Sequence, residues 1–285
     1  MGPLRLAHGD PHAAPDLASV LVQWTVDPLV WAGVGLAGLL YAAGVRRTRG
    51  WPRARTICVS AGMAVLLAAL AGPPAVYSHD LFWVHMVQHL AITLVAAPLI
   101  VFGAPVTLAL RAAPRWLRGP LLRSLHSRPA RLLGHPLVAW SLFGIVMWAS
   151  HYSSFYDAAL ESAGVHAVEH AAYLSVSLLF WVPLAGVDPV PRLSRPLRVI
   201  YLLAALPVQS FLGLAVYSAG QPMYEHYETL QRSWGPSAMA DQELAGIVMW
   251  IAGDALLLAW VGAAIAGWMR AETREEARSD RRTGS

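Results

Sequence analysis

The chain has 285 residues, of which 56% are hydrophobic and only 13% charged, a composition that excludes an ordinary soluble domain and points to a polytopic membrane protein. The formal charge of +4 rests on 21 basic residues, all Arg and grouped in short blocks between apolar runs, which reads as membrane topology and excludes a nucleic-acid surface. The lone Cys58 lies inside an apolar run, so a disulfide framework and a Cys-x-x-Cys site are excluded and any metal must be held by His, Met or carboxylate.

In chain order, residues 1–23 form a polar, Pro-broken stretch, read as an extracytoplasmic tail that carries His8 and His12. A helix needs about 20 residues to cross a hydrocarbon core of roughly 30 Å. Seven runs meet that need, at 24–45, 54–72, 80–102, 135–151, 164–185, 196–218 and 241–268. The first has no small-residue cleavage pattern and is read as a retained span, not a signal peptide. The predicted fold is all-α: a seven-helix transmembrane domain over 24–268, followed by a mixed-charge tail over 269–285. Arg alternates between the connections. There are five in RRTRGWPRAR (46–55), six over 111–131, three in PRLSRPLR (191–198) and five from Arg270 onward; 72–80 and 151–164 carry none and 219–240 only Arg232. The positive-inside bias therefore predicts an outward N-terminus, a cytoplasmic C-terminus and multi-pass insertion in a plasma membrane.

This topology gives each histidine a depth. The third span enters from outside near Asp80, which puts His85 and His89 about 8 and 14 Å along the helix, one turn apart on one face, with His79 just above. The fifth span enters near Gly164, and its His166 and His170 form a second pair of the same spacing at the same level. The fourth span ends outward at His151, with Met147 one turn beneath it, and Met249 lies about 12 Å along the seventh. His126 and His135 fall on the cytoplasmic side. Ionisable groups in hydrocarbon cost several kcal/mol unless paired or ligated, so two stacked pairs at one level point to metal. The expected ligands are His85, His89, His166 and His170, with His79, His151, Met86 and Met223 behind them. Glu169 and Asp241 are expected as hydrogen-bond partners that orient an imidazole. Met223 and His226 lie in QPMYEHYE (221–228), a loop placed to fold over the site. Asp254, in mid-membrane, has no evident partner in the sequence. Imidazole suits zinc, copper, iron and nickel, and nearby thioether shifts the preference toward copper, as Cu(I).

Three stretches carry a resemblance. HMVQHLAITLVAAPLIVFGAP (85–105), HAVEHAAYLSVSLLFWVPLAG (166–186) and DQELAGIVMWIAGD (241–254) resemble, in order and spacing, the signature blocks of the bacterial caa3-type CtaG family of cytochrome c oxidase assembly factors, and the likeness runs from about 24 to 268. It implies a non-enzymatic, seven-span plasma-membrane protein that matures a haem–copper oxidase at the stage of copper delivery. Its implied partners are oxidase subunits, other copper-delivery proteins and membrane lipid. The chain lacks the Cys pair of the unrelated single-span copper chaperone that shares the family's name.

Two other chemistries fit parts of the pattern. HAVEH (166–170) is a His-x-x-Glu-His metalloprotease signature, with Glu225, Glu228 or Glu243 available as a third zinc ligand. A protease needs an open coordination position and access for water and peptide, whereas four or five converging His and Met describe a holding site. The facing His pairs also suit a haem b clamped between the third and fifth spans. One haem takes one axial His from each side, however, and two stacked haems at one level would crowd.

Overall fold

The computed structural model describes residues 22–186, 193–230 and 232–283. His8 and His12 thus lie outside the described residues. Every regular element is helical: α1 (Pro28–Arg47), α2 (Arg53–Ala71), α3 (Pro73–Tyr77), α4 (Phe82–Leu90), α5 (Ala97–Phe102), α6 (Pro105–Ala112), α7 (Arg115–Leu125), α8 (Arg128–Leu133), α9 (Pro136–His151), α10 (Phe155–Glu161), α11 (Ala163–Ala185), α12 (Arg195–Tyr217), α13 (Glu225–Thr229), α14 (Ala238–Ile247) and α15 (Gly253–Thr283).

Among the described residues, six helical stretches are long and apolar enough to cross a membrane: Pro28–Arg47, Arg53–Tyr77, Phe82–Ala112, Ala163–Ala185, Arg195–Tyr217 and Ala238–Asp280. The fourth expected span, α9, is a shorter apolar helix of 16 residues, a rise of about 24 Å. Pro136 fixes its first turn and the chain leaves the helix at Tyr152. Leu36, Leu39, Ile200, Phe211, Ile251 and Leu258 are exposed, as lipid-facing side chains must be. The 111–131 connection is not an irregular loop, because α7 and α8 occupy most of it. The tail continues as helix: α15 runs to Thr283 with residues 272–280 exposed, since AETREEAR is mostly strong helix formers with Glu and Arg at helical spacing.

Two π-helical turns interrupt the spans that frame the site, at Ala91–Ala96 directly after His89 and at Val248–Ala252 around Met249. Pro98 explains how the first persists. Ala97 N–H reaches back to Ile92 O, and Pro98 has no N–H for the carbonyls that follow. In lipid a freed carbonyl must find a donor within the protein. Trp181 Nε1 donates to Thr93 O at 2.9 Å and Trp260 Nε1 to Leu94 O at 2.9 Å. In the second turn, Gln209 Nε2 donates to Met249 O at 3.1 Å. The π turns are therefore locked by side chains from α11, α15 and α12. Gly213 and Gly246 bring α12 and α14 into backbone contact: a Cβ on Gly213 would meet Trp250 N at 2.6 Å, and one on Gly246 would meet Tyr217 N at 2.6 Å. Such close approach is the use membrane helices make of small residues.

Candidate metal centre

The site is built at one end of α4 and α11, where the connections that carry few Arg residues converge. Asp241, fully buried at the head of α14, accepts the N–H of Phe82 at 3.1 Å and of Trp83 at 3.1 Å, and Arg232 Nη2 donates to it at 3.1 Å. These two amides belong to the first turn of α4, which has no local side-chain cap. A carboxylate there satisfies orphan donors and opposes the positive end of the helix dipole. Asp241 thus reaches the histidines through the backbone of α4, and the start of α14 is capped instead by Ser237.

On α4, His85 and His89 touch through their Nε2 atoms at 2.8 Å. On α11, the His166 and His170 rings lie 4.2 Å apart. The two pairs face each other, with ring centres 5.2 Å apart for His85 and His166 and 6.0 Å for His89 and His170. Donor atoms of His85, His89 and His170 lie within 4.8 Å of one another, and so do those of His85, His166 and Glu169. All four histidines expected as ligands are therefore gathered in one cluster. Glu169 is in its midst: one carboxylate oxygen sits 3.7, 3.9 and 4.0 Å from Nε2 of His85, His89 and His166. Those separations exceed hydrogen-bond length, so Glu169 stands among the donors and does not brace a single imidazole from behind.

The Tyr227 hydroxyl donates to Ser78 O at 2.6 Å. His85 Nδ1 lies 3.2 Å from the Tyr227 hydroxyl oxygen and 3.2 Å from that of Tyr156, and its Nε2 shares a hydrogen bond with Nε2 of His89. His151 Nδ1 lies 2.7 Å from Met147 O; a carbonyl only accepts, so Nδ1 holds the proton and Nε2 is free. Buried atoms without a hydrogen-bond partner include His89 Nδ1, His151 Nε2, His166 Nε2, His170 Nε2 and both oxygens of Glu169. Buried polar groups are nearly always satisfied. Four of these, His166 Nε2, His170 Nε2 and the two Glu169 oxygens, belong to the cluster and fit a bound cation there.

Above the cluster, the His79 ring packs 4.9 Å from His166 and 6.4 Å from His226, and His226 Nε2–H donates to His79 O at 2.8 Å. The 221–228 loop closes over the site: Tyr224 donates to His151 O at 3.0 Å, and Tyr224 and Tyr227 are both buried. Burial pushes the hydroxyls of Tyr156, Tyr224 and Tyr227 well above the usual phenol range, so they act as neutral donors and acceptors. At the rim, burial together with Glu161 and Glu225 pushes the Asp157 carboxyl up. Met223 does not point to the cluster by any contact; its N–H donates to Gln242 Oε1 at 2.7 Å and it packs on the apolar core. Met86 lines a small cavity with Met147 and Met249. Asp254 accepts from Ser210 at 2.6 Å, the partner that sequence alone did not reveal. Glu225, Glu228 and Glu243 are all exposed. Sequence reasoning also missed Tyr156, Tyr173 and Tyr227, which come from elements 71, 84 and 142 residues away from the histidines they touch, or carry no spacing signal at all.

A family model for cytochrome c oxidase caa3 assembly factors, Caa3_CtaG, matches residues 39–271. The chain belongs to the CtaG family. Its similarity to curated relatives includes 31% identity over 284 residues to an uncharacterised protein of Mycobacterium bovis and to one of Mycobacterium tuberculosis, and 28% over 288 residues to one of Mycobacterium leprae. Each alignment takes in 95% of this chain but 43% of the relative, so the chain spans about two fifths of the length of these proteins. No solved structure matches the chain. The histidine cluster lies wholly within the residues that the family model matches.

Proposed function

We propose that this CtaG family member is a non-enzymatic copper-holding assembly factor of the bacterial plasma membrane, with seven spans, an outward N-terminus and a cytoplasmic C-terminus. It receives copper at its outer face, holds it among His85, His89, His166 and His170 beside Glu169, and supports delivery to oxidase subunits, alone or with other copper-delivery proteins. The observation that carries this reading is the convergence of two His pairs from α4 and α11 with buried, unpartnered donor atoms. Orientation is supported by the Arg blocks: Arg55 and Arg111 both lie over the Trp51 ring, at 5.0 and 5.8 Å, so the first two blocks share one end. The connections with few Arg residues meet at the His end.

Packing favours an ion over a haem. With ring centres of the facing pairs 5.2 and 6.0 Å apart, the two helices are in direct side-chain contact where a macrocycle would have to lie. A protease is disfavoured because the acidic residues that would complete its zinc site are exposed, and because the 221–228 loop covers the cluster. The test is elemental analysis of the purified chain with an absorption spectrum. Copper without an intense Soret band supports the reading. A Soret band, or zinc with peptide hydrolysis abolished by Glu169→Gln, would overturn it.

A further inference from the structure

Directly beneath the histidine cluster is a cavity of about 20 Å³ lined by Met86, His89, Met147, His151 and Met249, with Leu90, Thr93, Tyr173, Gln209 and Leu212 completing the wall. It has room for one water-sized guest. The three methionines come from three different spans, and with His89 and His151 they are all at least nine-tenths buried. Each histidine has one nitrogen committed elsewhere: His89 Nε2 to His85, and His151 Nδ1 to Met147 O. The nitrogens left over, His89 Nδ1 and His151 Nε2, are buried and without partners. Three methionines and two histidines around one ion-sized space form a soft donor set. Thioether selects Cu(I) over zinc and over harder divalent ions.

We propose that this cavity is a second metal site, a thioether-rich seat for Cu(I) formed by Met86, Met147 and Met249 with His89 and His151. It rests on the copper reading above and deepens it. His89 belongs to both compartments, its Nε2 meeting His85 and its side chain lining the methionine cavity, so a single ring makes the two sites neighbours along one path. His226 and His79 stand at the outer end of that path, the His cluster in the middle and the methionine seat at its inner end. The second π turn is part of the seat: it carries Met249, and Gln209 holds that residue's carbonyl. Such turns recur at functional sites.

The test uses the full chain purified in detergent, reduced and titrated anaerobically with Cu(I) against a chromophoric Cu(I) chelator, with X-ray absorption at the copper edge. The wild type should bind two Cu(I) and show copper–sulfur scattering. The near-isosteric variant M86L/M147L/M249L should bind one Cu(I) with only nitrogen or oxygen neighbours, and should keep the wild-type Zn²⁺ stoichiometry, since zinc does not select thioether. The variant H85A/H170A should instead keep the sulfur-ligated ion. One copper with no sulfur neighbour in the wild type overturns the second site and leaves the His site standing. No copper at all overturns both. The wild-type spectrum decides these outcomes even where a variant fails to fold.

Discussion

Asp241 is a carboxylate with no contact to any imidazole, yet the position of His85 and His89 hangs on it. Asp241→Ala removes the acceptor of two backbone amides in the first turn of α4 and strands Arg232, whose side chain is 6% exposed. A buried donor left unsatisfied costs about 1–3 kcal/mol, and breaking a buried ion pair by deleting one partner costs about 3–5 kcal/mol. Because one group supplies all three bonds, these costs overlap, and we expect a loss of about 4 kcal/mol. At about 2–4 °C per kcal/mol for chains of comparable size, that lowers Tm by about 8 °C or more. Asp241→Asn keeps one amide oxygen for an N–H and should lose about half as much. Arg232→Ala combined with Asp241→Ala should be less damaging than the sum of the two single changes, because the second removes the charge that the first left unpaired. The assay is thermal unfolding in detergent, read alongside bound copper. A Tm for Asp241→Ala within about 2 °C of wild type, or a strictly additive double-mutant cycle, refutes the capping argument.

Trp181→Phe leaves Thr93 O without its indole donor and should cost about 1–3 kcal/mol; hydrogen exchange at the amides that follow the first π turn should rise, whereas unchanged protection would show that the turn does not depend on Trp181. Gly246→Ala drives a Cβ to within 2.6 Å of Tyr217 N and 2.8 Å of Gly213 O, so it should destabilise the fold as overpacking does, by about 1–3 kcal/mol or more, and lower Tm accordingly; a neutral result would mean that α12 and α14 can separate freely. Met249→Leu keeps the apolar volume and should leave Tm nearly unchanged while lowering Cu(I) retention under chelator challenge, and equal retention would mark Met249 as filler.

The helical class and six of the spans were readable because each is a local property. Apolar run length announces a crossing, and the four-residue spacing of His85 with His89 and of His166 with His170 sets both pairs on helix faces. The meeting of those faces followed from depth alone, and the structure gathers them in one cluster. The rest depends on contacts distant in sequence. Asp241 reads as the hydrogen-bond partner of an imidazole, yet it reaches the backbone of α4 from 159 residues away. The π turns are not announced by the sequence, because Pro98 in a span is tolerated only where Trp181 and Trp260 supply donors from other helices. Glu169 reads as a brace behind a histidine, since its spacing is that of a protease motif, but α11 turns it into the midst of the donors. The helix of the fourth expected span is short because Pro136 and the turn at Tyr152 limit α9. The tail reads as a solvated end by charge, and it is exposed, but its helix propensity also extends α15 through it.

The central claim is that α4 and α11 share one copper site. His85 and His170 belong to opposite helices and neither lines the methionine cavity, so they isolate that site. The measurement is copper bound per chain in His85→Ala, His170→Ala and the double variant, purified side by side, with oxidase maturation followed in cells that carry each. A shared site predicts that each single change removes the same copper, that the double removes no more, and that oxidase maturation falls alike in all three. Copper lost in separate, additive steps, or wild-type copper and normal oxidase in both single variants, would contradict it.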